Sequence, residues 1–238
     1  MIFGKNMIDA DAINQYLDSD QFTVELSDPT STRQIVLNTS SDILSEKDVR
    51  IALQHATNKQ NISDGIFYGL EKPADTLFAS TVPYCDIELE PYVYDLELAG
   101  QILDEAGWKM GSGNVREKDG QLLNIDLLYN SDSVTEKSIA EYLQSEYQSI
   151  GVSLNIHGEE EQSYRDNMKA GNFDMVFNIC WGTPYDPQSS LAAMRAPVYG
   201  DYAAQLGLDD KAEIDDAITE ILITTDENRR QELYTYVL

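Results

Sequence analysis

Catalysis needs a group that attacks or a group that moves a proton, and metal binding needs a set of groups that hold an ion. No spacing in this chain points to any of the three. Its only histidines are His55 and His157. A Ser-His-Asp or Cys-His grouping requires a base within reach of a nucleophile. His55 lies inside an apolar helical pattern, where a packing role is expected. His157 ends a strand pattern beside Gly158 and acidic residues, where solvent is its expected neighbour. No Gly-rich phosphate loop with its lysine occurs, and no Cys/His spacing fits zinc. Glu159-Glu160-Glu161 reads as a solvated surface. Enzyme function has little support in these residues.

Binding is better served. Met175-Val176-Phe177-Asn178-Ile179 is a short apolar run with the composition of a buried strand. Cys180-Trp181-Gly182-Thr183-Pro184-Tyr185-Asp186-Pro187 follows it, and Gly182 and the two prolines stop any regular element. A chain that leaves a buried strand and turns sharply presents its next side chains at the strand's carboxyl edge. In α/β sheets ligands sit at that edge. Trp181 and Tyr185 are large flat groups with one polar tip each, suited to lining a small-molecule pocket. A Trp packed under the loop and a Tyr capping it is the alternative.

Three segments resemble the solute-binding proteins of bacterial ABC importers, in the family that takes up peptides, nickel and metal chelates. They are the loop just described, Asp48 to Lys59 with Val49, Arg50, Ala52, Leu53 and Ala56, and Pro91-Tyr92-Val93-Tyr94-Asp95 followed by Ala99, Leu103, Ala106, Gly107 and Trp108. The resemblance runs from about Val24 onward. It implies an α/β lobe of the type II periplasmic-binding-protein kind, a mixed sheet with flanking helices. Such proteins are roughly twice this length and close two lobes on a ligand. Residues 1–238 correspond to a single lobe, the second, cut at the hinge.

The same resemblance refines the ligand. Peptide-binding members carry an Asp three residues after this Trp, where it pairs with the peptide's amino group. Here that place is Pro184, which has no side-chain acceptor. The loop looks like the nickel-import branch, as does Met194 to Tyr202. Relatives of that branch can place a metal-contacting His where this chain has Tyr199. A phenol titrating near ~10 is a poor nickel ligand at neutral pH, but it can donate a hydrogen bond to a chelator. Arg195 can clamp a chelator carboxylate or form a surface ion pair. The implied ligand-binding residues are therefore Trp181, Tyr185, Arg195 and Tyr199, with no protein metal ligand and no catalytic residue. The implied cargo is nickel or another transition metal with a small organic chelator, and no cofactor is held. The implied partners are the first lobe of the same protein and an ABC permease, with the protein in the periplasm or lipid-anchored at the cell surface. An oligopeptide- or dipeptide-binding lobe is the runner-up.

Composition is that of an ordinary globular protein. The 238 residues suffice for a sizeable core. With 42 acidic and 16 basic residues the formal net charge is -26, which opposes nucleic-acid binding by simple electrostatics. No apolar run approaches the ~20 residues of a membrane span. No charged-then-apolar leader opens the chain, and a piece of a longer protein would lack one. Two cysteines do not make a disulfide framework; Cys180 is expected to be buried, and a bridge to Cys85 is not expected.

Periodicity supplies the elements that position the loop. Ala12, Ile13, Tyr16 and Leu17 fall at helix spacing. Phe22, Val24 and Leu26 alternate as a strand, and Arg33 to Asn38 read as the next. Ser45 is expected to cap a helix with Val49, Leu53 and Ala56 inward, and a second helix is expected over Ile62 to Leu70. Residues 71–94 are a long irregular excursion. Asp95 caps a helix with Leu98, Ile102, Leu103 and Ala106 inward, ended by Gly107. Residues 110–121 read as a surface loop or hairpin. Leu123 to Tyr129, Val134 to Ile150, Val152 to Ile156, Glu160 to Ala170 and the strand into Trp181 make a β-α-β-α-β run with crossover helices. Ser189 to Met194 reads as a helical turn and 195–208 as loop. Two helices follow, the second still helical at Leu238, as expected of a chain cut from a longer one.

Overall fold

The computed structural model describes residues 10–17, 19–29, 31–181, 187–197 and 200–238, without the side chains of Asp11 and Trp181. A four-stranded sheet lies at its centre. Its order is β1 (Ser31–Leu37), β7 (Met175–Trp181), β5 (Asn124–Asn130) and β6 (Ser153–Glu159). β5 runs parallel to both β6 and β7, and β1 is antiparallel to β7. This is the mixed α/β sheet expected from the sequence.

Side-chain alternation along the strands assigns the two faces. Ile35, Ile125, Leu127, Leu154, Met175 and Phe177 belong to the main core. On that face lie α2 (Lys47–His55), α3 (Lys59–Phe67), α4 (Leu96–Glu105) and α5 (Val134–Ser149), with Leu53, Phe67, Leu103 and Leu143 turned inward. Val36, Leu128 and Val176 point to the other face. There they meet Tyr164 and Met168 of α6 (Glu161–Ala170) and Ala203 of α8 (Gly200–Leu206). Opposite faces for α5 and α6 follow from right-handed crossovers, because β6 lies on one side of β5 and β7 on the other. A satellite core joins α7 (Gln188–Ala193), α9 (Lys211–Ile223) and α10 (Glu227–Val237) through Leu191, Ile218 and Tyr234.

The first helix, α1, spans Ala10–Leu17. Glycines end two of the elements where expected. Gly171, at φ 72°, terminates α6, and Gly107, at φ 93°, follows α4, both in backbone that a Cβ disfavours. Asp95 caps α4 by accepting from the Leu98 N–H.

Four expectations are corrected. Residues 22–29 form no strand; Phe22 and Leu26 are about 60% exposed, and alternation without a ladder partner does not make a strand. Ser45 does not cap α2. Its hydroxyl donates to the Asp42 carbonyl, and the helix begins after Glu46, whose carboxylate accepts from Lys118 and from the Trp108 indole. Leu98 is exposed, because the buried stripe of α4 runs through Ala99 and Leu103. Residues 195–208 are not all loop, since α8 lies within them.

The segment at 110–121 is a short meander of β2 (Lys109–Met110), β3 (Arg116–Lys118) and β4 (Gln121–Leu122). It hides a charge that the sequence does not advertise. Arg116 is buried and donates to the carbonyls of Ile150 (2.7 Å), Trp108 (2.7 Å) and Gly100 (3.1 Å) and to the Asp104 carboxylate (3.0 Å). The 71–94 excursion is irregular as expected but well packed, with Phe78, Val82 and Cys85 buried beside Cys180. Neither cysteine is in a disulfide.

Candidate functional site

Because β5, β6 and β7 are parallel, Asn130, Glu159 and Trp181 finish at one edge of the sheet. β1 starts at the same edge, with Ser31 paired to Trp181. From β5 the chain turns into α5 on the main-core face; from β7 it passes into α7 and α8, and α8 packs on the opposite face. Two connections that part to opposite faces open a crevice between their strands, the place where open α/β sheets bind ligands.

Polar side chains on the α5 side of this edge are tied to one another. The Asn130 amide donates to Glu161 at 2.5 Å, and the Asn130 N–H to Glu136 at 2.9 Å. Ser133 caps α5 by accepting from the Glu136 N–H at 3.2 Å. Burial pushes the Glu136 carboxyl up, against the opposing pull of the Asn130 N–H and the Arg33 charge. Arg33 makes a two-pronged contact with Glu71 at 3.1 and 3.2 Å and lies over the Phe67 ring. Below, the Tyr164 hydroxyl donates to the Phe177 carbonyl.

On the α8 side, Gln34 and Asn178 face each other across β1 and β7. Each donates its side-chain amide to a different oxygen of Asp201, both at 2.8 Å. Burial raises the Asp201 carboxyl, and these two amides act in the opposite direction. Gly200 lets the start of α8 lie on the sheet, because a Cβ there would come within 3.1 Å of both Val36 and Val176. Cys180 points to the same side, 3.6 Å from the Ser190 hydroxyl of α7. Burial pushes its thiol up to about 12, so it remains a protonated packing group at neutral pH.

The structure thus gathers the end of β7, α7 and the start of α8 at one edge. Trp181 is the last residue of β7. Arg195 follows α7 and is exposed; among the described residues no acidic group forms an ion pair with it. Tyr185 and Tyr199 lie outside the described residues. The two histidines are elsewhere. His55 Nδ1 is 2.8 Å from the Val93 carbonyl oxygen with its ring edge-on to Tyr92, tying α2 to the excursion. His157 is exposed, 3.2 Å from Asp126. Among the described residues no three His, Cys, Asp or Glu side chains are placed to hold a metal ion.

The sequence reading missed the clamp of Gln34, Asn178 and Asp201. Its one signal was Asn178, a polar residue inside an otherwise apolar strand. A cavity of about 390 Å³ lies on the other side of β1, between that strand, α2 and α8, lined among others by Arg50, Gln54, Tyr92 and Asp201.

Residues 5–201 match the bacterial extracellular solute-binding proteins, family 5. The chain belongs to that family. It is 39% identical over 240 residues to the nickel-binding periplasmic protein of Escherichia coli K12, covering 100% of this chain and 46% of that protein. The crystal structure of NikA from Brucella suis in complex with Fe(III)-EDTA superposes with a TM-score of 0.93 at 44% identity, over 97% of this chain and 47% of that one. The dipeptide-binding protein of Escherichia coli K12 is more distant, at 26% identity over 83% of this chain and 36% of that protein. The chain therefore spans about half the length of these family 5 relatives.

Proposed function

We propose that this chain is the second lobe of a two-lobed substrate-binding protein that captures nickel or a metal chelate and delivers it to an ABC importer. The observation that carries the reading is that identity to a nickel-binding periplasmic protein extends over the whole chain, through the loop after β7. On this reading the carboxyl edge of the sheet is one wall of the cleft. The first lobe of the same protein supplies the other wall, and an ABC permease receives the cargo. The lobe boundary falls at the hinge, and the whole of residues 1–238 is one lobe. Trp181, Tyr185, Arg195 and Tyr199 face the ligand. A planar chelator stacks on the aromatic groups, and Arg195 pairs with a chelator carboxylate.

The protein works outside the cytoplasm and performs no chemistry on its cargo. The strongly acidic composition suits this: a net charge of -26 draws cations diffusely toward the protein, while specificity for a chelate rests on the aromatic wall and on Arg195. The absence of a carboxylate at Pro184 favours a chelate over a peptide, because nothing there pairs with a peptide amino group.

The test is a titration of the full-length protein with nickel, alone and with L-histidine, with Fe(III)-EDTA, and with a panel of di- and oligopeptides. Tight chelate binding with weak peptide binding is expected. Tight peptide binding without metal would overturn the reading in favour of the peptide-binding branch.

A further inference from the structure

We propose that Asp201 is a positioning residue for the ligand, a clamp that holds the start of α8 against β1 and β7 and so fixes how the segment carrying Arg195 lies against the carboxyl end of β7. The inference rests on the chelate-binding reading and names a residue that reading does not use.

Three observations carry it. First, the geometry is a fork. Gln34 and Asn178 are direct cross-strand partners, and they hold one carboxylate oxygen each at 2.8 Å. A side chain held at both oxygens from two strands has one position. Second, neither partner is a cation. A half-buried carboxylate met only by neutral amides is a costly way to fasten a helix, since burying charge without a counter-charge opposes folding. An apolar contact would serve stability better, so the clamp is better explained by the register it enforces. Third, the clamp acts on the right segments. Asn178 lies three residues before Trp181 on β7, and Asp201 lies two residues after Tyr199 and six after Arg195. The other end of α8 is fastened independently: Thr39 accepts from the Gly207 N–H at 2.8 Å, and its own N–H donates to the Ala203 carbonyl at 3.0 Å. Removing the clamp therefore frees the end nearest the ligand residues and leaves α8 attached.

The role is geometric and not electrostatic, and this separates it from direct attraction of a metal. Asp201→Ala removes both acceptors. Asp201→Asn keeps the bonding once Gln34 turns its amide over, so that the substituted amide accepts from Asn178 and donates to Gln34. In the full-length protein, the dissociation constants for Fe(III)-EDTA and for nickel with L-histidine are measured by calorimetry. Hydrogen exchange of the amides in 188–206 is followed in parallel. Asp201→Ala is expected to weaken chelate binding tenfold or more and to speed exchange at 195–203, with Asp201→Asn within about threefold of wild type.

Unchanged affinity in Asp201→Ala overturns the proposal, as does a loss in Asp201→Asn as large as in Asp201→Ala, which would assign the effect to charge. Should Asp201→Ala fail to fold, Gln34→Leu removes one prong only; a several-fold weaker chelate affinity supports the clamp, and wild-type affinity overturns it. If wild type itself binds neither chelate, the functional reading fails, and exchange alone decides the clamp: unchanged rates in Asp201→Ala refute it.

Discussion

Ser31 and Trp181 are directly paired in the ladder between β1 and β7. The backbone of Trp181 is thereby fixed by its neighbour strand before any ligand arrives, which lowers the ordering cost of binding. In the full-length protein Trp181→Ala is expected to weaken chelate affinity at least tenfold and to leave the melting temperature nearly unchanged, and Tyr185→Ala to act in the same direction. A buried aromatic lost from a core would instead cost ~3–5 kcal/mol of stability. Calorimetry and thermal melting on the same variant separate the two. A large fall in melting temperature at unchanged affinity would assign Trp181 to packing.

Arg116 joins α4, the meander and the end of α5 through four acceptors. Arg116→Met leaves three carbonyls without that donor and is expected to cost about 3 kcal/mol. Arg116→Lys should recover little, because one ammonium cannot span the positions that the guanidinium fork reaches. Urea unfolding of both variants measures this, and equal stability of wild type and Arg116→Lys would contradict it.

The same arginine makes a pH prediction. Its hydrogen bond holds the Asp104 carboxyl below the usual carboxylate range. A carboxyl with a lowered folded value contributes stability above its unfolded value of about 4 and loses it as pH falls through the folded value. Asp104→Asn should therefore be less stable than wild type at pH 7, and the gap should close as pH falls from about 4 toward 2. Melting curves across that range check it; a gap that widens on acidification would refute the assignment.

On the proposed reading, half a cleft leaves a ligand open to water. Halving the contacts of a micromolar complex, worth about 8 kcal/mol in total, leaves affinity near millimolar. The 238-residue chain alone should therefore bind nickel-histidine or Fe(III)-EDTA near millimolar or more weakly, while melting cooperatively by circular dichroism. Sub-micromolar binding by this chain would show that one lobe suffices.

Much of the fold was legible in the sequence for local reasons. The run from β5 to β7 alternates between period 2 and period 3.6, and the glycines at 151 and 171 adopt positive φ where the helical patterns stop. What stayed hidden depends on distant partners. The alternation of Phe22, Val24 and Leu26 matches that of a true strand, and only a neighbour could have made it one. α8 is short and weakly periodic, and it is held to the sheet by Thr39 and Asp201 more than by its own pattern. Arg116 reads as a surface charge until carbonyls from three separate segments surround it. For the site, the strand that delivers Trp181 was readable from its apolar run and Gly/Pro stop. The proposed ligand roles of Tyr185, Arg195 and Tyr199 rest on family resemblance, and the proposed positioning role of Asp201 rests on the fold alone.

The most direct test of the account is calorimetry of the full-length protein with nickel and L-histidine together, set against a dipeptide panel without metal. The account predicts micromolar or tighter binding of the nickel complex and no measurable heat from the peptides. Tight peptide binding with no response to nickel would contradict it.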